Sequence, residues 1–544
     1  MKTRNHSALS LVLEARVRPL RHIGLVGAAA CLLAAVACGS APGTTPDPAA
    51  AGGAADGGAE PAVEGGSAAN QGSDASTAPA PGGNKNKDAA GPPAGCDLSK
   101  DPKDSPPCVV DSIGVFVDAA SGLDTNDGSR AHPLAHIQAA LGKGKARVYV
   151  CAGNYSEQVK VTAGVGIFGG FRCTDFSYDA SVVAIAPSDA GYAVEIADVK
   201  DDVRLEDLSI TALPGTAALP SSVAVFAHGS AAVTLKRAVP IAGDGYAGTS
   251  STAGSNYVDA QAPNGNLGSF AGGVAVAGLA PTCACVNGVK PTAGRGYGVP
   301  LDPVTAREAT PGTPAIAGSP GGAAGVFGSA CNAGGAGQDG ASGAQGSDGS
   351  TPTTAGALSA NGWSPKDGSG GTFGGPGQGG GGGTGHSSSL GSGAGGGSGA
   401  CGGCGGAAAT TTTGGGGSIA LLSFESATTL ITSSFTSGSG GDGGNGAPGQ
   451  VGEAAGTGGP GASTGGCNGG NGGKGGNGGA SAGGAGGVTF GVLYLAKTVK
   501  APVVDGATIG AITNGAPGIR GNGGAAGKDG VAILAQKIQD AAGL

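Results

Sequence analysis

Seven charged side chains fall between positions 198 and 207: Asp198, Lys200, Asp201, Asp202, Arg204, Glu206 and Asp207. Two chemistries use such a set. Two carboxyls about 6.5 to 9.5 Å apart serve an inverting glycoside hydrolase, and carboxylates that bind Ca2+ beside a basic group serve a polysaccharide lyase. On that reading Asp198, Asp201, Asp202, Arg204 and Glu206 are the candidate catalytic residues. A plainer account competes with it. If Val203 and Leu205 stack on Val233 and Leu235 one strand spacing (about 4.8 Å) away, Glu206 faces Lys236 and Asp207 faces Arg237. The charges are then cross-strand ion pairs at a solvated surface, each worth about 0 to 1 kcal/mol. The plainer account is the working expectation, with no catalytic residue.

Other groups capable of chemistry are scattered. His132 and His136 offer half a metal site with no third ligand in the pattern. Asp124-Thr-Asn126-Asp127-Gly128 has the residues of a calcium loop without its length or its closing Glu, so a turn is expected and Ca2+ is the minor alternative. His228 and His386 stand in Gly/Ser surroundings. The many glycines include no Gly-x-x-x-x-Gly-Lys-Ser/Thr loop, so no cofactor and no nucleotide is expected.

Twelve cysteines occur. Residues 1–23 are polar and basic, Gly24 to Ala37 are apolar, and Ala35-Val36-Ala37-Cys38 follows, the order of an export signal. The last four residues resemble the bacterial lipobox, which implies cleavage before Cys38 and lipidation of its thiol. Without Cys31 and Cys38 ten cysteines remain, an even number that suggests disulfides in an exported chain. Cys96 with Cys108 and Cys151 with Cys173 are the nearest pairings. Cys283, Cys285, Cys331, Cys401, Cys404 and Cys467 lie in Gly-rich sequence, where partners cannot be read and where zinc or a redox pair at Cys283-x-Cys285 or Cys401-Gly-Gly-Cys404 competes with disulfides.

What must position these groups is an unusual chain. Of 544 residues, 119 are Gly and 32 Pro, aromatics are 4% and charged residues 12%, so any core is slender and built from Val, Ile, Leu and Ala. The formal charge is −8, and −12 once residues 1–37 are removed, which disfavours nucleic acid and anionic membrane surfaces as partners. Residues 38–95 are an Ala/Gly/Pro/Ser tether without the apolar content to fold.

From 96 to 242 short strands alternate with Gly and Asn: Ile113 to Val117, a turn at 124–128, a capping helix over 133–142, then 147–151, 159–161 and 165–171. The Val115-Phe-Val-Asp118 strand, Asn126-Asp127-Gly128, the Pro133–Leu141 helix, Gly153-Asn154-Tyr155-x-Glu157 and Gly169-Gly170-Phe171 resemble the N-terminal segment of bacterial pectin-lyase-like parallel β-helix proteins of unknown function. The resemblance implies a right-handed parallel β-helix and no particular activity.

Beyond it an aliphatic template recurs at 194–210, 223–241, 419–435 and 492–512, as stacked turns sharing one core require. Three Gly-rich tracts, 243–417, 438–487 and 514–530, interrupt the template after the same strand, with rungs at 418–437 and 488–513 and a closing strand at 531–534 within the end segment 531–544. In stacked turns the tracts should leave along one edge. They resemble PE-PGRS proteins in composition, and within them Gly recurs every third residue, the period of polyproline II, as at Gly337, Gly340 and Gly343. A packed array of polyglycine II-like helices is expected, and a floppy linker is the alternative.

The fold expected is therefore all-β, a parallel β-helix with Gly-rich insertions. The function expected is that of a non-catalytic cell-envelope lipoprotein, held in the membrane by its lipid at the outer membrane or cell surface and acting in presentation or adhesion. The alternative is a carbohydrate-active enzyme or a glycan-binding module, with polysaccharide as partner.

Overall fold

In a computed structural model of the chain, residues 92–298, 308–319, 321–385, 394–506, 508–509 and 538–543 are described. The expected export signal with Cys38, the expected tether up to 91, His386, the tract 514–530 and the strand expected at 531–534 lie outside them.

Short strands repeat in threes. After β1 (Gly114–Val117) and α1 (Ile137–Leu141), the first turn runs β2 (Arg147–Cys151), β3 (Gly153–Tyr155) and β4 (Val159–Val161). The second runs β5 (Val165–Phe171), a back-folded β6 (Tyr178–Ser181), β7 (Val183–Ile185) and β8 (Val194–Ala197). The third is β9 (Asp202–Glu206), β10 (Ser209–Thr211) and β11 (Ser222–His228). The fourth begins with β12 (Ala232–Lys236) and β13 (Val239–Ile241). It makes two hairpins, β14 (Ser269–Ala271) with β15 (Val274–Val276) and β16 (Gly356–Ser359) with β17 (Gly362–Pro365), before β18 (Ser418–Phe424). Then come β19 (Thr428–Ile431), β20 (Ser434–Phe435) and β21 (Thr489–Leu495), and last β22 (Val503–Asp505), β23 (Thr508–Ile509) and β24 (Ile538–Asp540).

Like strands pair in parallel from turn to turn. A first sheet runs β1-β2-β5-β9-β12-β19-β22, a second β3-β7-β10-β13, and a third β4-β8-β11-β18-β21-β24. The pair β20 and β23 extends the second sheet through a bridge from Ile241 to Thr436. This is a parallel β-helix. Val203 sits on Val233 and Leu205 on Leu235, and their ladder, with Ile167, Val194, Ile196, Val225, Leu421, Leu430 and Val492, is the buried core.

Two of the three corners are sharp in several turns and the third is loose, although in the second turn 172–182, with the back-folded β6, separate β5 from β7. Between the first and second sheets stand Asp207, Arg237 and Thr432, and between the third and first stand Asp198 and Glu425, all with positive φ near 50°. A single left-handed residue turns the strand without a loop, a conformation that Asp tolerates better than most residues. Gly229, φ 60°, occupies the second corner in the turn between Asp198 and Glu425. The remaining corner, from second to third sheet, holds 156–158, then 186–193, then 212–221, and then both described Gly-rich tracts.

The helix expected from 133 begins only at Ile137. Leu134 instead bridges in parallel to Val117, so the apolar spacing of 134, 137 and 141 belongs partly to a strand-like rung. The helix itself is capped in trans, its Ile137 and Gln138 amides donating to the Glu157 carboxylate at 2.7 and 2.9 Å.

The described parts of tracts 243–417 and 438–487 form a second ordered body. Gly340, Gly343, Gly346 and Gly349 donate to the carbonyls of Asn471, Lys474, Asn477 and Ala480, and Gly403 and Gly406 to Gly473 and Gly476, so the register advances by three each time. That is the polyproline II period with backbones bonded directly to one another. Segment 467–487 points its successive amides in three directions: Gly473 and Gly476 to segment 366–384, Gly475 and Gly478 to segment 438–461, and Asn471 and Ala480 to the side chains of Asp339 and Asp348. Glycine content follows the number of neighbours. Segment 335–350, at the edge, keeps one Gly per triplet. Segment 467–487, surrounded, keeps two, since a Cβ on Gly472 or Gly475 would overlap the carbonyl oxygens of Cys401 or Cys404, and one on Gly473 that of Ala341. The third place of its triplets is used as well, because Asn468, Asn471 and Asn477 accept the Gly461, Gly458 and Gly452 amides through their side-chain oxygens.

Candidate functional site

The charged stretch at 198–207 is divided among corners, exposed positions and ion pairs. Asp198 is a corner residue, and Asp201 and Asp202 are exposed on the approach to β9. Arg237 grips Asp207 with two contacts of 2.7 and 2.8 Å, Glu206 at 3.4 Å and Asp101 at 3.2 Å, while Lys236 reaches Asp101 at 2.6 Å. Two details of the expected pairing change. Lys236 lies beside Glu206 in register but binds Asp101, a residue whose part nothing in the local sequence signals. Glu206 is not on a solvated surface: it is 1% exposed, and its Oε1 has no hydrogen-bond partner among the described residues. Burial and the nearby Asp101 push its carboxyl up to about 7, against the pull of Arg237 and Lys236. Asp101 is held below the usual carboxylate range, because Lys236 and Arg237 outweigh its own partial burial.

The cover over this cluster is the segment before β1. Cys96 is joined to Cys108, Arg147 donates to the Leu98 and Lys100 carbonyls, and Tyr149 donates to that of Cys108. The segment thus lies across the outer face of the first sheet from β2 to β12.

Asp124 accepts from the Ala135 and His136 amides and meets the His136 ring at 2.6 Å. The hydrogen bond that His136 donates to Asp124 raises the imidazole above its ordinary value despite slight burial. The loop is an ordinary turn, and His132 and His136 converge on no third ligand among the described residues. Asp118, Cys151 and Cys173 do cluster, but both sulfurs are spent in a disulfide. The remaining cysteines are bridged as Cys283–Cys401, Cys285–Cys404 and Cys331–Cys467, so each cysteine of Cys-x-Cys pairs with one of Cys-Gly-Gly-Cys and neither motif closes on itself.

A groove lies elsewhere, where the solenoid meets the first Gly-rich tract. The β16–β17 hairpin packs Leu358 and Trp363 over the outer face of the third sheet, on Val223, Phe226, Ile419 and Leu422. Beside it, Lys160 on β4 pairs with Glu195 on β8 at 2.9 Å, and Glu195 meets the His228 ring on β11 at 3.1 Å. Burial works against the Glu195 charge, yet Lys160 and His228 hold its carboxyl below the usual range. Tyr192 stacks on Phe226 with ring centroids 4.7 Å apart and donates to the Asn361 carbonyl at 3.1 Å. None of these groove residues except His228 stands out in the sequence, because the partners are 169 residues apart. The lone tryptophan in a chain of 4% aromatics is the one available signal.

No protein-family description, no curated protein and no solved structure matches this chain.

Proposed function

We propose that the protein is an exported lipoprotein, held in the envelope through Cys38, whose pectin-lyase-like solenoid mounts a stiff polyglycine II rod and presents its far end to the surroundings. The observation that carries this reading is the common exit of the two described tracts from one corner of the solenoid. Segments 243–268 and 438–461 start from stacked strands and run side by side in the same direction, Gly245 bonding Ser439, Gly248 bonding Asp442 and Gly265 bonding Thr457. At about 3.1 Å per residue, segment 394–416 extends about 70 Å from the solenoid. Three disulfides cross-link the array, which suits an oxidising compartment. Leu267, Phe270, Val276, Leu279 and Phe327 are exposed near the far end, where a contacting surface would meet them. Within residues 198–207, Asp198 and Asp207 form corners, and Glu206 and Asp207 pair with Arg237.

An epitope inserted between Gly272 and Gly273, at the tip of the far hairpin, tests this. Antibody should label intact cells, and Cys38→Ala should release the protein from the membrane fraction and abolish palmitate incorporation. Labelling only after permeabilisation, or palmitate retained by the variant, overturns the proposal.

A further inference from the structure

The groove between the third sheet and the β16–β17 hairpin has a volume near 460 Å3, within the range of small-molecule sites. Its walls bring three kinds of group together: aromatic rings from Tyr192 and Trp363, the opposed charges of Glu195 and Lys160, and the carboxamides of Gln158 and Asn361. Each narrows the ligand. An anion would face Glu195 and a cation would face Lys160, and either would have to disturb a pair held at 2.9 Å. The balance of charge therefore favours an uncharged molecule. A wholly apolar one would strip water from these polar side chains and return nothing, at roughly 1 to 3 kcal/mol per unsatisfied group. A ring bearing hydroxyls on its edge and C–H bonds on its face satisfies both kinds of wall, because each hydroxyl donates and accepts while the face lies against an aromatic ring.

The site also has unfilled hydrogen-bonding capacity. Gln158 uses its NH2 on the Asp189 and Ala190 carbonyls, which turns its remaining oxygen into a fixed acceptor. Tyr192 is held in place from both sides, by the Phe226 ring and by its bond to the Asn361 backbone. We propose that this groove binds a neutral saccharide, with Tyr192 and Trp363 as the apolar wall and Glu195, Lys160, Gln158 and Asn361 as hydroxyl partners. The proposal does not rest on the presentation reading, and either can fail without the other.

Trp363 is the sole tryptophan, so intrinsic fluorescence reports on the groove directly. Purified full-length protein is titrated with neutral hexasaccharides of glucose, xylose and N-acetylglucosamine, and with a galacturonic acid hexasaccharide as the charged control. At least one neutral probe should give a saturable emission change with a Kd below about 1 mM. Asn361→Ala, on an exposed turn, and Glu195→Gln should each weaken it about 5-fold or more with the near-UV circular dichroism preserved. No response to any neutral probe at about 10 mM, equal binding of the charged control, or wild-type affinity in both variants overturns the proposal.

Discussion

The solenoid and the glycine array solve the same problem with opposite materials. In the solenoid, strands pair in parallel and the interior is filled by side chains, Val203 on Val233 and Leu205 on Leu235, each burial contributing about 1.5 to 3 kcal/mol. In the array the interior is backbone. Segment 467–487 has neighbours on several sides and has no room for a Cβ at Gly472, Gly473 or Gly475, so cohesion comes from interchain-type amide bonds, each contributing a net 0.5 to 1.5 kcal/mol. Those bonds work against the entropy of ordering glycine, the residue with most freedom to lose. The comparison teaches that a Gly-rich tract is ordered or loose according to what holds its ends in register. Here a rigid solenoid corner fixes one end, and disulfides fix the body.

Opposite materials imply opposite sensitivities. Enlarging a side chain should be ruinous in the array and shrinking one ruinous in the solenoid. Gly475→Val drives a side chain into the Cys404 carbonyl and should cost about 3 kcal/mol or more. Ser342→Val, exposed on the edge segment, should cost under about 0.5 kcal/mol. In the solenoid Leu235→Ala should cost about 2 to 5 kcal/mol, through the cavity it leaves. Hydrogen exchange resolved by segment separates the cases: Gly475→Val should expose the amides of 438–487 and leave those of β9 and β12 protected. Protection retained in 438–487 would show that the array tolerates side chains and that its glycines serve another purpose.

The disulfides sharpen the same contrast. Cys283–Cys401 and Cys285–Cys404 close loops of nearly the same length, with sequence separations of 118 and 119. Removing either pair as a double Ala variant should therefore cost little, because the other still closes the loop. Removing both should cost roughly 4 to 5 kcal/mol by loop entropy. Thermal unfolding followed by exchange in 394–416 checks this, and equal losses for one pair and for two would mean that the bridges act through local packing.

How far the sequence foretold this molecule depends on how far apart the interacting residues lie. The aliphatic ladders were legible because stacked parallel turns repeat in register, so Val233-Thr-Leu235 looks like Val203-Arg-Leu205. The third-residue glycine period was legible for the same reason, since an ordered array demands an absence of side chains at fixed spacing. β6 and β7 were not expected, as Tyr178-Asp-Ala-Ser181 folds back antiparallel on β5 and has no apolar alternation. The start of α1 was misplaced because spacings of three and four suit Leu134 in a helix and equally Leu134 bridging to Val117. The buried setting of Glu206 and the groove at Tyr192 were out of reach, because Asp101 meets Arg237 across 136 positions and Tyr192 meets Asn361 across 169. No local pattern encodes such contacts.

The mildest effect concerns the charge that the solenoid buries, for which the array's described interior has a counterpart only in Glu453, also pushed upward by burial. Glu206 has an ordinary value of 4.5 and stands near 7 in the folded chain. Below about pH 4.5 both folded and unfolded chains keep its proton, and the group adds no pH dependence. Between about 4.5 and 7 the unfolded chain has released the proton while the folded chain retains it, so stability falls as pH rises through this window and stays lower above it. Glu206→Gln cannot ionise and removes that fall. The variant should match the wild type near pH 4 and exceed it by about 1 to 3 kcal/mol at pH 8, read from urea midpoints at the two pH values. A variant less stable than the wild type at pH 8 would mean that the contacts with Arg237 and Arg204 outweigh desolvation. Glu206 would then belong with Asp207 among the stabilising ion pairs.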